Sequence, residues 1–220
     1  MSTFDLSAVE TRILGSLLEK ERITPENYPL SLNSLIAACS QTTSRDPVVA
    51  YDERMIEAGL QSLRDQGLAT VIFGAGSRVQ KYRHNLGDHF NLERREMAIL
   101  TVLMLRGPQT PGELRSRTER LFMFGKVEEV EACLESLCAG ESPLVRMLPA
   151  RPGQKERRFV QLISGEPAPE DFPAVPSGIE ASPADPRPSR IDALENEIAS
   201  LKTEVQRLRE EFSAFRAQFQ

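Results

Sequence analysis

Two stretches of this chain repeat the same pattern of apolar and acidic residues. Residues 57–63 read EAGLQSL and residues 131–137 read EACLESL, and each copy is followed by a short β-like segment, a Gly-bearing turn and a basic strand. Two further helical segments precede each copy. This order of helix, helix, helix, strand, turn and strand is that of a winged helix-turn-helix, so the repeat predicts two such modules in tandem. Such modules bind nucleic acid or other proteins, and the repeat alone leaves both functions open.

The expected fold class is mainly α with small β-hairpins, an α+β arrangement of two tandem winged helix-turn-helix domains followed by a C-terminal coiled-coil helix. The boundaries are expected where the composition changes along the chain. Residues 1–90 are predicted to form the first domain, residues 91–164 the second, residues 165–189 a Pro-rich linker and residues 190–220 the coiled-coil helix.

The first module opens with a capping box, in which Ser7 is the N-cap and a glutamate follows three residues later. Apolar residues recur at helical spacing to about Lys20, which predicts helix 1. Helix 2 is expected to begin at Ser31 and helix 3 to cover residues 52–66, with Gly67 just past its end. The wing strands are expected at residues 68–73 and 79–84, and the side of helix 3 that faces the core is expected to consist of Ile56, Gly59, Leu60 and Leu63.

The second module follows the same scheme. Asn91 is expected to cap its first helix, which ends at Gly107. A capping box with Thr110 as N-cap opens helix 2, which continues to about Arg120, and helix 3 is expected over residues 126–138. Its wing strands are expected at residues 144–148 and 157–163, and the buried side of its helix 3 is expected to consist of Val127, Val130, Leu134 and Leu137.

Three stretches resemble a known family. Residues 27–48 (NYPLSLNSLIAACSQTTSRDPV), 103–121 (LMLRGPQTPGELRSRTERL) and 151–159 (RPGQKERRF) are similar to the YceH-like family of uncharacterised bacterial proteins with tandem winged-helix domains. The resemblance covers about three quarters of the chain. It implies the fold, and it implies DNA binding through the association of that fold with DNA. The family usually carries a lysine near Thr42 and Thr43, so its absence here implies a weaker phosphate contact from that turn.

The C-terminal segment carries a strict heptad pattern. Apolar residues follow a 3-4 spacing, with mostly β-branched residues at position a and leucine at most d positions, which favours a parallel two-stranded coiled coil. A lone amphipathic helix docked on its own domain is the alternative, but it would require neither the strict spacing nor matched flanking charges. The predicted dimerisation residues are Ile191, Leu194, Ile198, Leu201, Val205, Leu208, Phe212 and Phe215, and the attractive g–e pairs are Arg190 with Glu195, Glu197 with Lys202, Glu204 with Arg209 and Glu211 with Arg216.

Basic side chains on the wings and helices are the candidate DNA contacts. Cations on a wing commonly contact phosphates, although strands of an exposed hairpin are often charged for other reasons. The candidates are Arg54, Gln61 and Arg64 on the first helix 3, Arg78, Lys81 and Arg83 on the first wing, Arg115 and Arg117 on the second helix 2 (with Arg120 extending this basic set), and Arg151, Lys155, Arg157 and Arg158 on the second wing.

The distribution of acidic residues limits this prediction. Much of the net negative charge lies in the tail, and neither module has the strong basic excess typical of DNA-binding domains. The second helix 3 is predicted to present four carboxylates, which would repel phosphates: Glu128, Glu129, Glu131 and Glu135. This face favours a second function class, a scaffold similar to the tandem winged-helix subunits that bind kleisins in chromosome condensation complexes.

Enzymatic chemistry has little support in the sequence. His84 and His89 lack cysteines or carboxylates at metal-binding spacing, and no phosphate-binding glycine loop or nucleophile motif occurs. We therefore expect a non-enzyme without cofactor or metal. The sequence has no membrane-length apolar stretch and no signal-peptide pattern, and its number of cysteines is odd. Together these features predict a cytoplasmic protein. The expected partners are a second copy of the chain, with DNA or another protein as its ligand.

Overall fold

A computed structural model describes residues 4–73, 79–149 and 156–166 of the protein. In these residues the fold is mixed α+β, as expected, with helices and two small antiparallel sheets. The predicted linker (residues 165–189) lies almost entirely outside the described residues, and the predicted coiled coil (residues 190–220) lies wholly outside them. The helices are α1 (Ala8–Ile23), α2 (Leu32–Cys39), α3 (Glu53–Asp65), α4 (Leu86–Phe90), α5 (Arg94–Arg106), α6 (Pro111–Arg117) and α7 (Val127–Cys138); the strands are β1 (Leu30–Ser31), β2 (Ala69–Phe73), β3 (Gln80–His84), β4 (Val145–Met147) and β5 (Phe159–Gln161).

The helix starts of the first repeat follow the predicted caps. Ser7 accepts a hydrogen bond from the backbone N–H of Glu10, whose carboxylate accepts one from the N–H of Ser7. Ser31 and Asp52 cap α2 and α3 in the same way, through their side-chain oxygens. Gly67 follows α3 with a φ of 74°, in the left-handed region that favours glycine. The buried residues of α3 are those predicted: Ile56, Gly59, Leu60 and Leu63.

The sheet of the first repeat has one strand more than the sequence predicted. Strands β2 and β3 form the expected antiparallel hairpin, but β3 also pairs with β1, which makes β3 the central strand. The two-residue strand β1 pairs Leu30 with Tyr82 and Ser31 with Lys81. A strand of two residues has no alternating pattern of its own, so only its partner reveals it.

The prediction that Asn91 caps the first helix of the second repeat is wrong. Asn91 instead ends the short helix α4 in a left-handed conformation, with a φ of 51°. Asparagine tolerates that conformation better than most residues do, which explains its use as a C-terminal cap. The N-cap of α5 is Glu93, whose backbone N–H donates to Glu96 Oε2 at 2.8 Å.

The second repeat otherwise follows the predicted order. Thr110 and Glu113 form the capping box of α6, and Gly107 ends α5 with a φ of 67°. Helix α6 ends at Arg117, earlier than expected, and both strands of the second hairpin are shorter than predicted. The buried residues of α7 are Val130, Cys133, Leu134 and Leu137, so three of the four predicted residues are confirmed, whereas Val127 is half-buried.

The first helix of each repeat lies at the centre of the molecule. Residues 10–19 of α1 and residues 98–105 of α5 are buried without interruption, because these two helices pack against each other as well as against their own repeats. Gly15 permits this close approach, since a Cβ at its position would lie 3.0 Å from Leu105 Cγ and from Met104 Cβ. The two repeats therefore share one continuous hydrophobic core.

Two buried arginines bind the C-terminal end of α2. Arg12 Nη1 donates to the carbonyl of Cys39 at 3.0 Å, and Arg45 Nη2 donates to the carbonyl of Ala38 at 2.9 Å. Carbonyls at the end of a helix lack intrahelical donors, so these guanidinium groups satisfy them inside the protein. Of the helices in the described residues, none has both the length and the apolar character needed to span a membrane.

Candidate nucleic-acid interface

The outward side of α3 presents the three candidate side chains predicted from sequence. Arg54, Gln61 and Arg64 are all exposed. The Gln61 amide donates to Asp65 Oδ1 at 2.8 Å, and Arg64 Nη1 donates to Gln61 Oε1 at 3.1 Å. Because these hydrogen bonds are on the surface, water or a ligand can replace them at little cost. Arg54 has no ion-pair partner among the described residues.

The β2–β3 hairpin, the predicted first wing, presents its cations on one side of β3. Tyr82 and His84 point to the core, and the intervening Lys81 and Arg83 point away from it, since successive side chains alternate along a strand. Arg83 Nη2 lies 3.6 Å from Asp88 Oδ2; the Arg83 side chain is 43% exposed and that of Asp88 is 86% exposed. Lys81 has no ion-pair partner among the residues described. Arg78, the third candidate on this wing, lies outside the described residues.

In the second repeat, two candidates converge on one carboxylate. Arg158 Nη1 donates to Glu113 Oε2 at 2.9 Å and to the carbonyl of Pro108 at 2.8 Å, while Arg117 Nη2 lies 3.5 Å from Glu113 Oε1. Burial acts to raise the pKa of Glu113, but the Thr110 backbone hydrogen bond and the charges of Arg158 and Arg117 outweigh it and lower that pKa. Arg158 thus connects α6 to the second hairpin, whereas the Arg117–Glu113 pair lies within α6.

The remaining candidates of the second repeat are more dispersed. Arg115 is exposed on α6, and Arg157 on the second wing donates to Met147 Sδ at 3.6 Å. Arg151 and Lys155 lie outside the described residues. Arg146 on β4, which no sequence pattern identified, forms an ion pair with Glu166 at the start of the predicted linker. Such a pair between distant residues has no local sequence pattern, so the fold alone reveals it.

The outward side of α7 is acidic, as predicted. Glu128, Glu129, Glu131 and Glu135 are all exposed. Glu129 Oε2 accepts a hydrogen bond from the N–H of Gly125 at 3.0 Å. Two of these carboxylates lie in the first turn of the helix, where the positive end of the helix dipole stabilises them. The outward side of α3 differs in that it mixes the two signs of charge, with exposed Glu53, Glu57 and Asp65 beside Arg54 and Arg64.

Other titratable groups are buried for structural reasons. His84 Nε2 lies 3.0 Å from Glu21 Oε2, and the His84 backbone N–H donates to the Tyr28 hydroxyl at 2.8 Å. Burial raises the pKa of the Cys39 thiol to about 11 and that of Cys133 to about 12, so both thiols are protonated at neutral pH and pack as small apolar side chains. Within the described residues, no three His, Cys, Asp or Glu side chains come close enough together to hold a metal ion.

Comparison with other proteins gives a consistent assignment. The family model described as "Protein of unknown function, DUF480" matches residues 6–154, which comprise most of both repeats. A "UPF0502 protein" from Opitutus terrae is 51% identical over 176 residues, covering 76% of this chain and 76% of the relative. Similar proteins of the same description occur in Solibacter usitatus (49% identical, covering 78% of this chain and 83% of the relative) and in Citrifermentans bemidjiense (51% identical, covering 74% and 75%).

Proposed function

The chain belongs to the DUF480 family of proteins of unknown function, which confirms the predicted resemblance to an uncharacterised bacterial family. We propose that it is a dimeric, non-catalytic, DNA-binding transcriptional regulator. In this proposal each repeat is a winged helix-turn-helix module, with α3 and α7 as the third helices and the two hairpins as wings. The order of helices and strands in both repeats supports this interpretation.

The observation that carries the proposal is the arrangement of free cations in the first repeat. Arg54 on α3 and Lys81 on β3 are exposed, and among the described residues neither has a carboxylate within ion-pair distance. An unpaired surface cation can neutralise a phosphate without first losing a protein partner. Helix α3 leads through Gly67 to β2, and β2 pairs with β3, so the two cations lie on connected elements of the same repeat.

In this proposal the first module provides most of the DNA contacts. Gln61 and Arg64 are the side chains suited to base edges, because an amide and a guanidinium can each form two hydrogen bonds with a purine in the major groove. Arg117 and Arg158 in the second repeat already interact with Glu113, so a phosphate would have to compete with that carboxylate. The second module would then position the first one or bind another ligand.

A protein-interaction scaffold is the second candidate, and the acidic side of α7 favours it. Four exposed carboxylates on one helix suit a basic protein segment better than a phosphate backbone. Met123, just before this helix, is 77% exposed and would add apolar contact area. A non-catalytic scaffold of this kind would resemble the kleisin-binding subunits named above.

Neutralising the acidic helix distinguishes the two functions. If the full chain binds DNA, the variant E128Q/E129Q/E131Q binds a mixed-sequence duplex more tightly than wild type, because less charge repels the phosphates. If the chain is a scaffold, neither wild type nor this variant is retained on DNA, and the variant no longer captures the protein partner in an affinity pull-down. The control is R94Q, which changes the charge of an exposed residue at the start of α5 outside both surfaces.

A second experiment tests the assignment of α3. Selection of preferred duplexes from a random pool should give a different preference for the R64A variant than for wild type, because base-reading residues set sequence preference. The K81A variant should keep the preference and bind all duplexes more weakly, since a phosphate contact does not distinguish sequences. An unchanged preference in R64A and in Q61A would exclude α3 as the reading helix.

A further inference from the structure

A recess lies where the two repeats meet. It is bounded by the end of α1, by the loop of residues 40–44 and by the ends of α5 and α6. It consists of two adjoining cavities of about 430 and 520 Å³, which share Glu19, Ile23, Ser44 and Arg120 as walls. Cavities of this size commonly hold small molecules.

The charged side chains around the recess are predominantly basic. Lys20, Arg106, Arg117 and Arg120 line it, and its carboxylates are Glu19 and Glu119. Glu19 accepts two hydrogen bonds from the fully buried guanidinium of Arg45, so its charge is already compensated inside the protein. Of the described residues, none provides a carboxylate within 4 Å of the Arg106 or Arg120 guanidinium.

Hydroxyl groups lie next to these cations. Arg106 Nη2 donates to Ser44 Oγ at 2.6 Å, which leaves the Ser44 hydroxyl hydrogen available for an acceptor. Thr42 and Thr43 are exposed on the same loop, and Ser116 lines the opposite side. Guanidinium and hydroxyl donors together satisfy the several oxygen atoms of a phosphate group.

Burial and neighbouring positive charges both disfavour the charged form of Arg106. Burial, and then the charges of Arg117 and Arg45, lower the pKa of its guanidinium, and Glu19 compensates only in part. A bound anion would relieve this repulsion. The recess also has an apolar wall, to which Ile23, Val102 and Leu105 contribute.

We propose that this recess binds a small phosphate ester, with the phosphate held by Arg106, Arg120 and the Ser44 hydroxyl and the organic group against the apolar wall. The assignment goes beyond DNA binding and does not depend on it, because a recess of this volume takes a small molecule and not a duplex. A ligand at this position contacts both repeats and would stabilise their packing together.

Calorimetric titration of the full chain at constant ionic strength tests the assignment. The probes are inorganic phosphate, phenyl phosphate and phenol. We expect saturable binding of both phosphates, tighter binding of phenyl phosphate through the apolar wall, and no binding of phenol. The R106Q/R120Q variant should bind phenyl phosphate at least about tenfold more weakly, because two charge-assisted contacts are lost. No saturable binding of either phosphate would overturn the proposal, and equal affinity for the two phosphates would overturn the role given to the apolar wall.

The matched control is R94Q, which removes an exposed arginine at the opposite end of α5 from Arg106. R94Q should bind both phosphates as wild type does. Circular dichroism and thermal unfolding should show that R94Q and R106Q/R120Q are both folded. Equally weakened phosphate binding in R94Q and R106Q/R120Q would mean that the phosphates are attracted non-specifically to the whole surface, and would overturn the assignment of this site. Because the titration contains no DNA, its outcome is independent of the proposed DNA binding.

Discussion

Arg45 and Glu19 form a buried ion pair in which Arg45 Nη2 lies 2.7 Å from Glu19 Oε2 and Nη1 lies 3.0 Å from Oε1. The Arg45 side chain is fully buried and that of Glu19 is 9% exposed. The same guanidinium also binds the carbonyl of Ala38. The pair therefore attaches the loop after α2 to α1, and this loop forms one wall of the recess between the repeats.

Removal of the arginine should strongly destabilise the protein. We expect Arg45→Met to lower the free energy of unfolding by about 3–5 kcal/mol, because it leaves the Glu19 charge buried without its partner. Urea unfolding followed by circular dichroism measures the change. The control Arg22→Met alters an exposed arginine on α1 and should change stability by less than about 0.5 kcal/mol. A loss of the same small size in Arg45→Met would contradict the structural role of the pair.

The same pair predicts a pH dependence. Burial acts to raise the pKa of Glu19, but the hydrogen bonds and charge of Arg45 outweigh it and hold that pKa below its ordinary value. A carboxyl whose pKa is lowered by folding stabilises the protein above its unfolded-state pKa, and this contribution is lost as the pH falls through the folded-state pKa. The stability difference between wild type and Glu19→Gln should therefore be constant near neutral pH and shrink below about pH 4. A difference independent of pH from 7 to 3 would contradict this assignment.

The close packing of α1 against α5 at Gly15 predicts the effect of adding a side chain there. A Cβ at this position would lie 3.0 Å from Leu105 Cγ and Met104 Cβ, closer than normal contact. We expect Gly15→Ala to destabilise the protein by about 1–3 kcal/mol through overpacking, less the helix propensity gained. Gly112→Ala is the control, because the nearest atom to its new Cβ is 4.0 Å away, and it should be neutral or stabilising. Thermal unfolding compares the two variants, and equal shifts would mean that α1 and α5 do not constrain each other at Gly15.

Local sequence patterns predicted the elements that carry their own signals. The caps at Ser7, Ser31 and Thr110 and the buried side of α3 follow from hydrogen-bonding side chains and helical spacing within one segment. The two repeats also agree in which residues they bury, since the equivalent residues Leu60 and Leu134 are both buried at the centre of their helices.

Features that depend on distant partners were not predicted. Strand β1 exists through its pairing with β3, and α4 is too short to show a period, so Asn91 was assigned to the wrong helix. The two helices α1 and α5 were predicted, but their continuous burial was not, because it arises from the packing of one repeat against the other. The recess is formed by four separate segments, and neither its basic walls nor the Arg45–Glu19 pair can be recognised before those segments meet.

The heptad pattern at the C-terminus predicts the oligomeric state. We expect the full chain to sediment as a dimer, and Leu201→Lys with Leu208→Lys to convert it to a monomer, because both residues occupy core d positions of the predicted parallel coil. The far-ultraviolet signal of the two repeats should be retained. A chain truncated after Ser164 that remained fully dimeric would exclude the C-terminal segment as the dimerisation element.

We propose above all that the chain binds DNA mainly through the first repeat. Fluorescence anisotropy of a labelled mixed-sequence duplex, measured at increasing salt, is the decisive test. We expect binding at about 50 mM salt, a steep fall in affinity by about 200 mM, and a flatter slope for R54Q/K81Q by about one unit per lost phosphate contact. The control R94Q should reproduce the wild-type slope. Absence of binding by the wild-type protein at about 50 mM salt, where phosphate contacts are strongest, would contradict DNA binding and favour the scaffold.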